Sequence, residues 1–242
     1  MHQPSRRQFV TTSLVGLPML AGGTATLLGS PPLTLDGAEQ RGLPDKLEAG
    51  VQSPSNSDPV LDAIVSDFRE VRREGDEKPS QRRGAVRAIE TLTGVLAAHL
   101  SKHYDADVKR AIRLQLQRKG RQALVHEITT RVNKSEITHE AIDAMLTRLE
   151  RDGVGGVLRE AQKSIKRMRE NMPPDYLQVR SVTQYDFCSD LNWMIQLAEM
   201  CSAIACAVAM GSAGVNPAAD AACAGTTAAL AGYLAMKWWY NC

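Results

Sequence analysis

The cysteines carry the clearest chemistry in this chain, because pairs of thiols oxidise to disulfides. All five lie in the last 55 of the 242 residues, at Cys188, Cys201, Cys206, Cys223 and Cys242. If this region is an antiparallel helical hairpin that turns at residues 211–217, positions whose numbers sum to about 430 face each other. Cys188 then faces Cys242, and Cys206 faces Cys223. The spacing therefore predicts a disulfide at the open end and another at the turn, with Cys201 unpaired.

The two arms of the expected hairpin, residues 191–210 and 218–236, are almost uncharged and rich in Ala, Gly, Ser, Leu and Met. Small residues allow helices to approach closely. Each arm would be about 30 Å long as a helix, near the thickness of a bilayer core. Such a short unit buries little surface, so disulfides would help to hold it together.

Aromatic residues collect at the open end of the hairpin, together with one lysine: Trp193, Lys237, Trp238, Trp239 and Tyr240. Trp and Tyr favour the membrane–water interface, and a lysine can extend its amine towards the headgroups. This cluster predicts a membrane-interface anchor. The alternative is that the same side chains close the end of a water-soluble helical core.

The N-terminus predicts export. Ser5, Arg6, Arg7 and Phe9 have the form of a twin-arginine signal, and a weakly apolar, uncharged run follows to Gly29. An ordinary membrane anchor or a disordered tail is the alternative for residues 1–29. Export would bring the chain to an oxidising space, where disulfides persist.

The remaining chain divides by composition. Residues 30–58 are rich in Pro, Gly, Ser and Asp and predict a disordered linker. Residues 59–174 show helical periodicity, and residues 175–187 form a second linker before the hairpin of residues 188–242. No alternating, strand-like run appears. The predicted fold class is all-α, a helical bundle followed by a disulfide-stapled C-terminal helical hairpin.

Several helix-capping and helix-breaking residues predict where the bundle helices begin and end. The first helix is expected to begin at residue 59. Asp105 or Asp107 is expected to cap a third helix that runs to about residue 132. Thr138 is expected to cap a fourth, and the glycines of residues 153–156 to separate it from a fifth that ends before Pro173.

Charge is concentrated in the bundle. From Lys78 to Arg169 there are 20 Lys and Arg and 10 Asp and Glu, a net charge of +10, whereas the whole chain carries +2. In an exported protein this block points to anionic lipid or envelope polymer, and not to nucleic acid. The alternative is the solvated face of a helical bundle.

Other candidate sites are weaker. His99 and His103 lie four residues apart on a predicted helix, a spacing at which two imidazoles can hold one metal, with Asp105 or Asp107 as a further ligand. Without an assigned third ligand, we interpret them as surface or boundary histidines and expect no metal.

No catalytic arrangement can be argued from spacing. His126 and Glu127 are an acid/base pair without a nucleophile. The glycine-rich residues 153–156 precede a helix but lack the strand and the Lys of a phosphate-binding loop, which favours a helix–helix turn. We therefore expect neither an enzyme nor a cofactor.

The order of parts resembles the precursors of halocin-type peptide bacteriocins. The resemblance rests on Ser5-Arg6-Arg7-Gln8-Phe9, on the helical block up to Pro174, and on the cysteine-containing tail of residues 188–242. It implies an immunity segment in the helical block and a toxic peptide released from the C-terminus. We expect a precursor cut within residues 175–187, whose peptide acts on membrane lipid and is restrained by the chain's own helical segment. The alternative is an uncleaved envelope protein, anchored or oligomerised through the hairpin.

Overall fold

A computed structural model describes residues 58–132, 137–170, 182–212 and 216–242 of the chain. These residues belong to one compact unit, which spans Pro32–Cys242. The predicted export signal with Arg6, Arg7 and Phe9 lies outside the described residues, as does the expected linker up to Ser57. The described part contains no strand, so the predicted all-α class is confirmed. Seven helices are described: α1 (Pro59–Glu77), α2 (Arg82–His103), α3 (Asp105–Lys119), α4 (Arg121–Val132), α5 (His139–Glu170), α6 (Val182–Gly211) and α7 (Pro217–Trp239).

Two helix starts follow directly from local sequence. Asp58 accepts hydrogen bonds from the backbone N–H groups of Val60 and Leu61, and Pro59 occupies the first turn of α1, where its missing N–H costs nothing. The Thr138 hydroxyl accepts the N–H of Ala141 at the start of α5. Both starts lie where the sequence predicts them.

The third predicted helix is two helices, because the chain breaks at Gly120. Gly120 has a φ of 79°, which only glycine adopts at no steric cost. α3 ends at Lys119 and α4 begins at Arg121. The expectation of one helix up to residue 132 was therefore wrong. A single glycine between good helix formers gives too weak a signal to place this break.

The predicted break at residues 153–156 lies at Gly153, where a non-helical residue kinks α5. Gly153 has a φ of 77° within α5, while the helix continues on both sides. The buried Asp105 carboxylate accepts the N–H of Gly155 at 3.2 Å. A side chain at Gly153 would overlap that carboxylate. Asp105 lies in the first turn of α3, as expected, but its side chain caps the second half of α5 instead of its own helix.

The C-terminal hairpin, α6 with α7, packs against all five preceding helices. α1, α2 and α3 pack against α7, and α3, α4 and α5 pack against α6. We call helices α1–α5 the cover. Buried side chains of the cover and the hairpin form one continuous core. The division between residues 59–174 and 188–242 is therefore a division of the sequence and not of the packing: the hairpin alone would leave its apolar faces in water.

Candidate functional site: the stapled hairpin

Two disulfides join the hairpin at its ends. Cys188 is bonded to Cys242 with the two Cα atoms 5.2 Å apart, and Cys206 is bonded to Cys223 with the Cα atoms 4.6 Å apart. These are the pairs that an antiparallel hairpin turning at residues 211–217 predicts. All four cysteines are half-buried. Structural disulfides are typical of proteins that reside in an oxidising, extracytoplasmic space.

Cys201 remains a free thiol and is fully buried on the side of α6 that faces the cover. Burial raises the pKa of the Cys201 thiol to about 12, with a further contribution from the nearby Asp105. The thiolate is the reactive form of cysteine, so this side chain is chemically inert while the protein is folded.

A short polar strip lies between α6 and α7 beside the disulfide at the turn. The hydroxyls of Ser202 and Thr227 are 3.0 Å apart, and the sulfur of Cys206 lies 3.9 Å from each of them. Each hydroxyl thereby has a partner inside the hairpin. The polar strip is satisfied within the hairpin and needs no partner from the cover.

Glycines on α7 let the cover approach closely. A Cβ added at Gly225 would lie 2.8 Å from a methyl carbon of Leu96 on α2, and one added at Gly232 would lie 3.2 Å from the ring of Phe68 on α1. Between these glycines and the open end, the buried Tyr233 hydroxyl lies 3.1 Å from that of Thr93 on α2. The small residues of this arm therefore serve packing against the cover.

The aromatic cluster expected at a membrane interface is split by the structure. Trp239 is 2% exposed and Tyr240 is 6% exposed, whereas Trp193 and Trp238 are 46% and 61% exposed. Lys237 is half-buried. Trp239 and Tyr240 lie inside the unit, as the alternative of a closed helical core requires. Only the other three offer surface to a membrane in this fold.

The cover holds Trp239 at the end of α1. Its indole N–H donates to the Asp76 carboxylate at 2.6 Å, and its ring lies where a side chain at Gly75 would be. The Arg82 guanidinium donates to the carbonyls of Gly75 and Trp239, each at 3.2 Å. The same guanidinium lies over the Trp238 ring, 5.7 Å from its centroid. These contacts tie the open end of the hairpin to α1 and α2.

The long apolar stretch of α6 is also mostly buried. Among the described residues one helical stretch, Phe187–Gly211 of α6, is long and apolar enough to cross a membrane, and 67% of its most apolar part is buried inside the unit. The second arm, α7, which we expected to match a bilayer in length, is not long and apolar enough by the same measure. A mostly buried apolar helix is what the core of a water-soluble bundle also contains.

α6 begins at Val182, within the stretch where we expected a cut. Residues 182–187 of that stretch are helical, and Phe187 is buried against the Tyr240 ring. Residues 175–181 lie outside the described residues. A protease needs extended backbone, so the part of the predicted window inside α6 is a poor substrate in this fold.

His99, one of the two histidines considered for a metal, is paired with Asp58. Its Nε2 lies 2.6 Å from Asp58 Oδ2, and the Tyr104 hydroxyl donates to the same oxygen at 2.5 Å. His103 is exposed beside it, with the two ring centroids 4.8 Å apart. Asp107 pairs with Arg110 and Asp105 with Gly155. These candidate ligands therefore do not converge on one point.

Asp58 is the residue that sequence reasoning missed, since it was assigned to the linker. An Asp directly before Pro at a helix start is a recognisable cap signature. Its carboxylate joins the start of α1 to the end of α2. Burial alone would raise the pKa of Asp58, but hydrogen bonds from Tyr104, His99 and Leu61 outweigh it and lower the pKa to about 2.

Replacing Asp58 by Asn is expected to destabilise the protein by about 2 kcal/mol at neutral pH, as a pKa lowered to about 2 implies. A lowered carboxyl pKa stabilises the fold above the unfolded value near 4, and the contribution is lost as pH falls towards about 2. The two proteins should therefore converge at about pH 2. Urea unfolding across this pH range is the measurement. Asp62→Asn, an exposed first-turn acid of α1, is the control; an equal loss there would point to a general charge effect.

The remaining weak candidates have structural roles. His126 and His139 lie with ring nitrogens 3.4 Å apart, and Glu127 pairs with Lys119 and Arg131. The glycine-rich residues 153–156 form the α5 kink, whose space the Asp105 carboxylate fills. In the described ranges no group of three or more His, Cys, Asp and Glu is placed to hold a metal.

Comparison with known proteins adds no assignment. No protein-family model matches the chain, and no curated protein or solved structure matches it. The functional argument therefore depends on the geometry of the hairpin and its cover.

Proposed function

We propose that the protein is the exported precursor of a membrane-active, bacteriocin-like peptide, in which the cover restrains the C-terminal hairpin until it is released. The observation that carries this proposal is the double closure of the hairpin. Its two helices are cross-linked to each other at both ends, while no disulfide joins them to the cover. A cut before α6 would thus free a unit that stays covalently closed.

The burial of the hairpin supports a restraining role for α1–α5. Tyr233, Met194 and Ile204 are fully buried, and packing from the cover reaches both arms. Burying apolar surface is the main favourable term in association, so the covered hairpin has little surface left to insert into lipid. The cover is itself basic, which would hold the precursor near anionic lipid.

Mass spectrometry of culture supernatant tests the proposal. We expect a disulfide-linked fragment whose first residue lies within residues 175–187. In vesicles of phosphatidylglycerol and phosphatidylethanolamine, the fragment should release trapped dye and the intact chain should not. Finding intact chain alone in the supernatant, or a fragment without leakage, would count against the precursor.

An uncleaved envelope protein is the second candidate, and the length of Phe187–Gly211 favours it. In that case the hairpin anchors or oligomerises the chain, and the basic cover binds a partner or an anionic surface. Cell fractionation separates the two functions, because this version stays with the membrane at full length.

A further inference from the structure

α6 carries two chemically unlike faces, and its cysteines are divided between them. Cys188 and Cys206 are five turns apart at about 3.6 residues per turn and so lie on the same side of the helix. Cys201 lies about 140° around the helix from Cys206 at about 100° per residue. In the structure the shared side faces α7 and is half-buried at both cysteines, whereas the Cys201 side is fully buried.

The Cys201 face is the more apolar of the two. It carries Met194, Leu197, Ala198, Ile204, Ala205 and Val208, all buried. The disulfide face carries the polar Asn192, Glu199 and Ser202 among the apolar Leu191, Ile195, Ala203, Ala209 and Met210. The difference matters for any hairpin that folds without the cover.

In water, two helices pair through their most apolar faces. For α6 without its cover, that preference turns the Cys201 face towards α7 and moves Cys206 away from Cys223. The local pattern thus favours the wrong rotation of α6. In the complete fold the Cys201 face is taken up by the cover instead: α3, α4 and α5 pack on α6, and Asp105 and Arg148 are close enough to influence the Cys201 thiol.

We propose that the cover is an intramolecular template for disulfide pairing, which fixes the rotation of α6 so that Cys188 and Cys206 meet α7 while Cys201 is withheld. The oxidant is a small-molecule disulfide such as glutathione disulfide. One protein thiolate attacks it and displaces one glutathione thiolate; the partner thiolate then displaces the second. Each protein disulfide formed consumes one glutathione disulfide and yields two glutathione molecules.

This function does not depend on release of a peptide, so it holds or fails separately from the precursor proposal. Without a template, pairing five thiols into two disulfides leaves Cys201 free in only about one arrangement in five. With the template, the reduced chain should give mainly the native pairs.

The test is oxidation of the reduced full chain by glutathione disulfide, followed by disulfide mapping after proteolysis. Gly155→Leu disrupts the cover without touching the hairpin, because a side chain there overlaps Ser101 and the carbonyl of Ala97 on α2. Gly84→Leu is the matched control, since a Cβ there meets nothing within 4 Å. Gly153→Leu, hindered by Asp105 and by its positive φ, provides a second disrupted cover.

We expect wild type and Gly84→Leu to form the native pairs and to keep Cys201 unreactive to iodoacetamide. In the two cover variants, disulfides that include Cys201 should increase several-fold, and adding Cys201→Ala should raise the share of native pairs again. Circular dichroism reports whether the cover is lost. Native pairing at wild-type yield in a variant whose bundle has been lost would overturn the proposal, because the hairpin would then direct its own oxidation.

Discussion

Reducing both disulfides is expected to lower the free energy of unfolding by about 7 kcal/mol. The cysteines of Cys206–Cys223 are 17 positions apart, and those of Cys188–Cys242 are 54 positions apart. From the loss of chain entropy on closing loops of these lengths, the first disulfide contributes about 3 kcal/mol and the second about 4 kcal/mol. Domains of this size have total stabilities of roughly 5–15 kcal/mol. The reduced protein should therefore be close to unfolding at room temperature, with its melting temperature lowered by about 20 °C.

Thermal melts with and without a phosphine reductant measure this effect. Paired Cys206→Ser/Cys223→Ser and Cys188→Ser/Cys242→Ser variants assign it to each disulfide, and the Cys188 pair should cost more because it closes the longer loop. Cys201→Ala is the control, since it removes a thiol and no cross-link. A melt unchanged by reductant would mean that the cover alone holds the hairpin in place.

Trp239→Ala is expected to destabilise the protein by about 3–5 kcal/mol, the range for deleting a large buried side chain. The indole fills the space over Gly75, and its loss also leaves Asp76 without the N–H that it accepts. Because these contacts join the end of α7 to α1, we expect the open end of the hairpin to loosen first.

The neighbouring Trp238→Ala is the matched control for this prediction. Trp238 is mostly exposed and its ring lies against the Arg82 guanidinium, so its removal should cost about 1 kcal/mol or less. Guanidinium unfolding followed by circular dichroism gives both values. Equal losses at the two positions would contradict the assigned burial. Trp239→Phe, which keeps a ring without the donor, should lie between them.

The hairpin could be predicted from sequence because its geometry is local. An antiparallel pair with a short turn fixes which residues lie at the same level along the two helices, so the numbering alone relates Cys188 to Cys242 and Cys206 to Cys223. Helix starts were equally accessible, since caps such as Thr138 act within three or four residues. Sequence patterns describe such short-range relations well.

The features that could not be predicted depend on contacts between residues far apart in the chain. Asp105 caps a helix turn 50 residues away at Gly155, and nothing in either segment identifies the other. Trp238 and Trp239 are adjacent and chemically identical, so only the position of α1 decides which one is buried. The packing of the cover on the hairpin also depends on distant contacts. From composition, the charged helices and the apolar hairpin look like separate modules, but in the structure they share one core.

The chain holds only three tryptophans, and the fold places them in opposite environments. Trp239 is buried against α1, so its emission should move to longer wavelength when the hairpin separates from α1. Trp193 and Trp238 face water, so their emission should move to shorter wavelength on entering lipid. Separation of the hairpin from α1 and its entry into lipid should therefore shift the tryptophan emission in opposite directions. A stopped-flow fluorescence trace with vesicles would show which event comes first without any added label.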